Sequence, residues 1–154
     1  MIRIALYQPD IAQNTGTILR LAACLAIAVD IVEPAGFPVS DKSFRRSGMD
    51  YLDHVLWQRH DDFAAFERQR RASGSRLILM TTRAALPYPE FAFQAGDVVM
   101  AGRESAGVPD HVHDAADARI VIPMQPGLRS LNVAVSVAMV AGEALRQLGG
   151  FPRG

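Results

Sequence analysis

Asp97-Val98-Val99-Met100-Ala101-Gly102-Arg103-Glu104-Ser105-Ala106-Gly107 is an apolar run that stops at a glycine. Four successive apolar residues without polar alternation predict a strand over 97–101 covered on both faces, as in a parallel sheet. Gly102 and Gly107 suit a turn that presents backbone amides and carbonyls to a ligand. The spacing is not the GxGxxG fingerprint, so a dinucleotide site is not indicated. Glu104 is placed either to hold a hydroxyl or amine, or merely to cap the turn.

Outward from this stretch the pattern repeats. Strands are predicted over 2–7, 28–33, 55–58, 76–81 and 119–122. Helices are predicted from an Asn14-Thr15 cap through residue 25, from Ser40-Asp41 through Arg46, over 61–71 and over 130–148. Strands alternate with helices, which predicts one α/β domain over 1–154, a parallel sheet with helices on both faces. Such sheets bind ligands outside the carboxyl ends of their strands. The chain has 154 residues, 49% of them hydrophobic, enough for a sizeable core.

Two further segments fall at such positions. Asn14-Thr15-Gly16-Thr17-Ile18-Leu19-Arg20 opens a helix after the first strand. Gly16 would leave backbone accessible there, and a helix N-terminus favours an anion such as phosphate. Arg20 lies one turn after Gly16, on roughly the same face; the plain alternative is a capped helix with a solvated arginine. The other segment runs from Ile122-Pro123-Met124 through a loop ending at Arg129 to Ser130-Leu131-Asn132. Ser130 is a good N-cap, whereas Asn132 inside a first turn lacks so simple an explanation. The following helix is apolar on more than one face. Val133, Val137, Val140 and Ala141 therefore predict burial by the core and by a second subunit.

Composition narrows the function. Sixteen basic residues balance sixteen acidic ones, which argues against a tail-driven nucleic-acid binder. Lys42 is the only lysine, and arginine is the better bidentate phosphate ligand. The single cysteine, Cys24, excludes an intrachain disulfide, and the four histidines show no zinc spacing. No metal is expected. The N-terminal apolar run is too short for a signal peptide, and Asn132, Ser136 and Glu143 interrupt the longest apolar stretch. A cytoplasmic protein without membrane association is expected.

In this order the three segments resemble the SPOUT methyltransferases. Asn14-x-Gly16-x-x-x-Arg20, Gly102-x-Glu104-x-x-Gly107 with Val108-Pro109, and Ile122-Pro123-Met124 with Ser130-Leu131-Asn132 look like the three motifs of the SpoU branch. The likeness extends through Leu6-Tyr7-x-Pro9, Ile31-x-Glu33-Pro34-x-Gly36-Phe37, Asp41-Lys42, Arg45-Arg46-x-Gly48-x-Asp50-Tyr51 and Arg146-Gln147-Leu148-Gly149. It is similar to the minimal members that methylate the ribose of the wobble nucleotide, position 34, in tRNA.

The resemblance implies a C-terminal trefoil knot, which periodicity cannot reveal. It implies an obligate homodimer, S-adenosyl-L-methionine (SAM) as cofactor and tRNA as partner. By position it assigns SAM to Met80, Thr81, Gly102, Glu104, Ile122, Met124, Ser130 and Leu131. It implies catalytic roles for Arg20, Asn14, Ser130 and Asn132, with Arg20 either a phosphate ligand or a participant in deprotonating the ribose. Lys42, Arg45 and Arg46 are candidates for the tRNA backbone, against the alternative of a solvated helix face. Ala101 and Gly142 depart from the bulky apolar and aromatic residues that relatives often carry there. Two other readings stay open: a SPOUT 2′-O-methyltransferase acting on another tRNA position or on rRNA, and a non-catalytic nucleotide-binding α/β dimer. A Rossmann-type methyltransferase is disfavoured, because no glycine-rich loop follows the first strand.

Overall fold

A computed structural model describes residues 1–47, 49–128 and 130–154, with Asp50 described in its backbone only. Gly48 and Arg129, which belong to two of the segments above, and the Asp50 side chain lie outside the described residues. The elements are β1 (Arg3–Tyr7), α1 (Ala12–Leu25), β2 (Ala28–Val32), α2 (Asp41–Arg46), a 3-10 turn (Asp50–His54), β3 (Trp57–His60) and α3 (Phe63–Ser73). They continue as β4 (Leu77–Met80), a second 3-10 turn (Tyr88–Glu90), β5 (Val98–Ala101), α4 (Asp110–Ala115), β6 (Ala118–Ile120) and α5 (Val133–Leu148). The six strands form one parallel sheet in the order β3-β2-β1-β5-β4-β6. The order reverses between β1 and β5, where Leu6 lies beside Ala101.

The unbroken apolar runs arise because both faces of the sheet are covered. Ile4 and Leu6 of β1, Ile78 of β4 and Val99 of β5 pack into one core with Ile18 and Leu19 of α1 and Val137, Val140 and Leu145 of α5. The alternate residues, Ala5, Tyr7, Leu77, Leu79, Val98 and Met100, pack on the other face with Phe66 of α3 and Val112 of α4. Truncating a fully buried leucine such as Leu19 or Leu145 to alanine costs about 2–5 kcal/mol. Asp30, the one acidic residue within a strand, is buried and held by Arg3, Gln58 and His60 at 2.8–2.9 Å.

Several boundaries differ from expectation. α1 begins two residues before Asn14, at Ala12, and its cap position is Ile11, with no side-chain cap bond. Asn14 therefore sits in the first turn rather than capping it. α5 begins at Val133, and its cap is Asn132, whose side chain accepts from the Ala134 and Val135 amides. Ser130 is thus in the preceding loop, and the capping explanation moves to Asn132. β3 is shifted to Trp57–His60. β6 ends at Ile120, which leaves Ile122 in the loop. The short helix α4 and both 3-10 turns carry too little periodicity to be foreseen. Val137, Val140 and Ala141 are covered by the chain's own core, so they call for no second subunit. The exposed apolar residues of α5 are instead Val135 and Met139.

Candidate functional site

A cavity of about 470 Å³ opens at the carboxyl ends of β4, β5 and β6. Met80, Thr81 and Thr82 enter it from the end of β4, and Gly102, Arg103, Glu104 and Gly107 from the turn after β5. Ile122 and Met124 follow β6, and Ser130, Leu131 and Asn132 lead into α5. Ile11 and Asn14, from the start of α1, close another side. All eight residues assigned to SAM by position line this one cavity, together with Asn14 and Asn132.

Backbone contacts set its walls. The Arg103 and Gly107 amides each donate to the other residue's carbonyl at 2.9 Å, which closes the turn after β5. A Cβ at Gly102 would stand 2.8 Å from the Gly107 carbonyl carbon, and Gly107 itself has φ +65°. Both glycines are therefore needed for this closed shape. The Thr81 amide donates to the Ile120 carbonyl at 2.9 Å, holding the loops after β4 and β6 together.

Side chains tie the third motif to the first and the second to Asp10 in the loop after β1. Asn132 Nδ2 donates to Asn14 Oδ1 at 3.1 Å, while Asn132 Oδ1 accepts the Ala134 and Val135 amides at 2.8 and 3.2 Å. Glu104 accepts the Asp10 amide at 3.1 Å, bridging the turn after β5 to the end of β1. The Asp10 carboxylate accepts from the Ser105 hydroxyl and lies 3.6 Å from the Arg103 guanidinium. The two carboxyls share one environment. Interaction with Glu104, then the Ser105 hydrogen bond, hold Asp10 at about 2. Burial, then Asp10, push Glu104 above the usual carboxylate range. Of the two carboxyls, Glu104 is therefore the one that keeps its proton to higher pH.

The remaining predicted residues lie elsewhere. Arg20 is exposed on α1 outside the cavity lining, with its guanidinium carbon 5.8 Å from the centroid of the Tyr51 ring. Gly16 does not offer free backbone to a ligand. It is buried, its carbonyl accepts the Tyr51 hydroxyl at 2.6 Å, and Met49 Cε lies 2.6 Å from where its Cβ would be. Lys42, Arg45 and Arg46 lie exposed on α2, away from the cavity. Arg45 pairs with Asp53 at 2.6 Å. Asp10 and Tyr51 escape a reading of single motifs as site residues, because each acts through a partner distant in sequence. Among the described residues no group of three His, Cys, Asp or Glu side chains is arranged to hold a metal, and no helix is long and apolar enough to cross a membrane.

A doubly covered parallel sheet with a ligand-sized cavity at its strand ends defines an α/β protein that handles a small molecule there. The match of residues 1–142 to the SpoU rRNA Methylase family model makes the assignment specific: the chain belongs to that methylase family. It is similar to the tRNA (cytidine(34)-2'-O)-methyltransferase of Ancylobacter novellus, with 62% identity over 152 residues, 99% of this chain and 96% of that protein. A solved structure described as giving insights into the 2-OH methylation of C/U34 on tRNA matches with a TM-score of 0.88 and 39% identity over 97% of each chain. An AdoMet-bound rRNA methyltransferase from Sinorhizobium meliloti matches with a TM-score of 0.84 and 26% identity, over 96% of this chain and 56% of that one.

Proposed function

We propose that this enzyme transfers the methyl group of SAM to the ribose 2′-oxygen of nucleotide 34 in tRNA. The observation that carries the reading is the convergence of the second and third motifs, with Asn14 of the first, on one cavity at the strand ends. The end-to-end likeness to a tRNA (cytidine(34)-2'-O)-methyltransferase supports the choice of substrate.

The residues present fit the cofactor. The volume lies within the range of roughly 300–1,000 Å³ common for small-ligand sites. The lining mixes apolar surface, from Met80, Ile122, Met124 and Leu131, with hydroxyls from Thr81 and Ser130 and with the backbone of the Gly102–Gly107 turn. These groups hold SAM, which supplies an already activated methyl group. Glu104 holds the turn in place through Asp10. Asn14, Asn132 and Ser130 orient the ribose, so that its 2′-oxygen approaches in line.

Arg20 acts from outside the cavity. A guanidinium remains protonated at any physiological pH, which suits a bidentate phosphate ligand better than a general base. Arg20 therefore fixes the RNA backbone beside the reacting ribose. Lys42, Arg45 and Arg46 extend this contact along α2, and a homodimer joined through α5 completes the enzyme. The deciding experiment is transfer of a tritiated methyl group from SAM to total tRNA, followed by mapping. Label at the 2′-oxygen of nucleotide 34 is expected. Label confined to rRNA or to another tRNA position would replace this substrate, and no transfer would favour a non-catalytic binding module.

A further inference from the structure

We propose that Tyr51 is a positioning residue for Arg20, with its hydroxyl fixing the ring and its ring face fixing the guanidinium. The inference rests on the reading that Arg20 serves the reaction.

Tyr51 is anchored from two directions. Its hydroxyl donates to the Gly16 carbonyl at 2.6 Å, one helical turn before Arg20 on α1. Its neighbour Leu52 is buried in the core, which fixes the 3-10 turn that carries both residues. The tether uses the Gly16 carbonyl: a Cβ at 16 would stand 3.9 Å from the Tyr51 oxygen, an ordinary contact, and would displace only the flexible end of Met49, whose Cε lies 2.6 Å away. The Gly16 carbonyl is thus engaged by the tyrosine rather than offered to a ligand.

The guanidinium of Arg20 stands over the anchored ring at 5.8 Å, within cation–π range. An exposed arginine otherwise samples many rotamers, and ordering it on the RNA costs entropy at each encounter. A ring held by its own hydroxyl restricts those rotamers beforehand and keeps the planar fork available for a phosphate. The same turn is joined to α2 by the Arg45–Asp53 pair at 2.6 Å. The arrangement therefore spans from the basic residues proposed for the tRNA backbone to the arginine proposed beside the reacting ribose.

The test is a double-mutant cycle on the full-length protein with Tyr51→Leu, Arg20→Ala and both together. Methyl transfer to tRNA and calorimetric SAM binding are the readouts. Tyr51→Leu should lower kcat/KM for tRNA about three- to tenfold, in line with an exposed cation–π contact plus lost preorganisation, and leave SAM affinity unchanged. In the Arg20→Ala background Tyr51→Leu should cause no further loss, because residues acting as a unit are not additive. A Tyr51→Leu enzyme with wild-type kcat/KM, or one whose loss adds in full to that of Arg20→Ala, overturns the proposal and leaves the role of Arg20 intact. An Arg20→Ala enzyme that methylates normally sinks both. Should Tyr51→Leu fail to fold, Tyr51→Phe decides through the hydroxyl tether. An about twofold fall in kcat/KM at unchanged SAM affinity supports the proposal, and wild-type kcat/KM overturns it.

Discussion

The side chains of Asn132 and Asn14 meet at 3.1 Å, a contact that joins positions 118 residues apart and links the start of α1 to the start of α5. Asn132 does two jobs with one amide. Its oxygen caps α5 through the Ala134 and Val135 amides, and its nitrogen holds Asn14 at the cavity edge. The two jobs are separable by chemistry. Asn132→Asp keeps a capping oxygen but cannot donate to Asn14, so thermal stability should stay near wild type while methyl transfer falls. Asn132→Ala should lose about 1 kcal/mol of stability as well. Full transfer by Asn132→Asp, measured beside its melting temperature, would show that the Asn132 N–H donor is dispensable, since a turned Asn14 amide can donate to the carboxylate instead.

Gly102 sits against backbone that cannot step aside. A Cβ there meets the Gly107 carbonyl carbon at 2.8 Å and its Cα at 2.9 Å. The damage from a side chain at 102 thus begins inside the protein, before any ligand arrives. Gly102→Ala should open the Arg103–Gly107 bridge and weaken SAM binding at least about tenfold, roughly 1.4 kcal/mol. Titration calorimetry with SAM measures this directly, and wild-type affinity would mean that the turn yields without consequence for the site.

Arg20 is remote from the cavity lining, so its removal should spare the cofactor. Arg20→Ala should lose about 100-fold in methyl transfer, roughly 2.7 kcal/mol of transition-state stabilisation, with SAM affinity unchanged. Arg20→Lys keeps the charge but loses the planar fork, and should recover little. Near-complete rescue by lysine would reduce the role of Arg20 to a point charge.

The central strands were legible because two cores demand apolar residues on both faces, and Leu77-Ile78-Leu79 or Val98-Val99-Met100 carry that demand openly, whereas the edge strand β3, Trp57–His60, has three polar residues and is shifted from its expected span. The strand ends then pointed to the turn after β5 and the segment from Ile122 to Asn132, whereas Met80 and Thr81 came from the family resemblance. Helix starts were less legible, since Ser130 and Asn132 are both good caps and only the backbone path selects Asn132. At α1 the cap position falls to Ile11, which offers no capping oxygen at all. Tyr51 and Asp10 lay out of reach for another reason. Tyr51 acts on Gly16, 35 positions away, and Asp10 on Glu104, 94 positions away, so no local pattern marks either contact.

Asp30 makes stability depend on pH. Burial alone would raise its carboxyl, but hydrogen bonds from His60, Arg3 and Gln58 outweigh that and hold it below the usual value of 3.8. A lowered folded-state value means that the stabilisation is present above 3.8 and is lost as pH falls below it. Asp30→Asn should cost about 2 kcal/mol at pH 7, less than for a fully buried pair because Arg3 reaches solvent. The gap between the two proteins should narrow as pH falls below about 4. Urea unfolding at several pH values reads this out, and a gap that stays constant would show that the carboxylate charge contributes nothing.

The last helix carries the proposal of a dimer, on residues other than those its apolar pattern first suggested. Val137, Val140 and Ala141 face the chain's own core and are at most 1% exposed. Val135 and Met139 lie one turn apart on α5, 49% and 37% exposed, while Leu131 belongs to the loop before the helix and lines the cavity. An apolar stripe of this kind on a helix end beside the cavity suits a partner helix packed against it. Val135→Glu combined with Met139→Glu places charges on that stripe without disturbing the core, so each chain should remain folded while the pair dissociates. Sedimentation should show a dimer for the wild type and a monomer for the double variant, with circular dichroism unchanged. The monomer should also lose methyl transfer if the partner is needed to complete the enzyme. A wild-type protein that sediments as a folded, active monomer would remove both the interface and the reason for it.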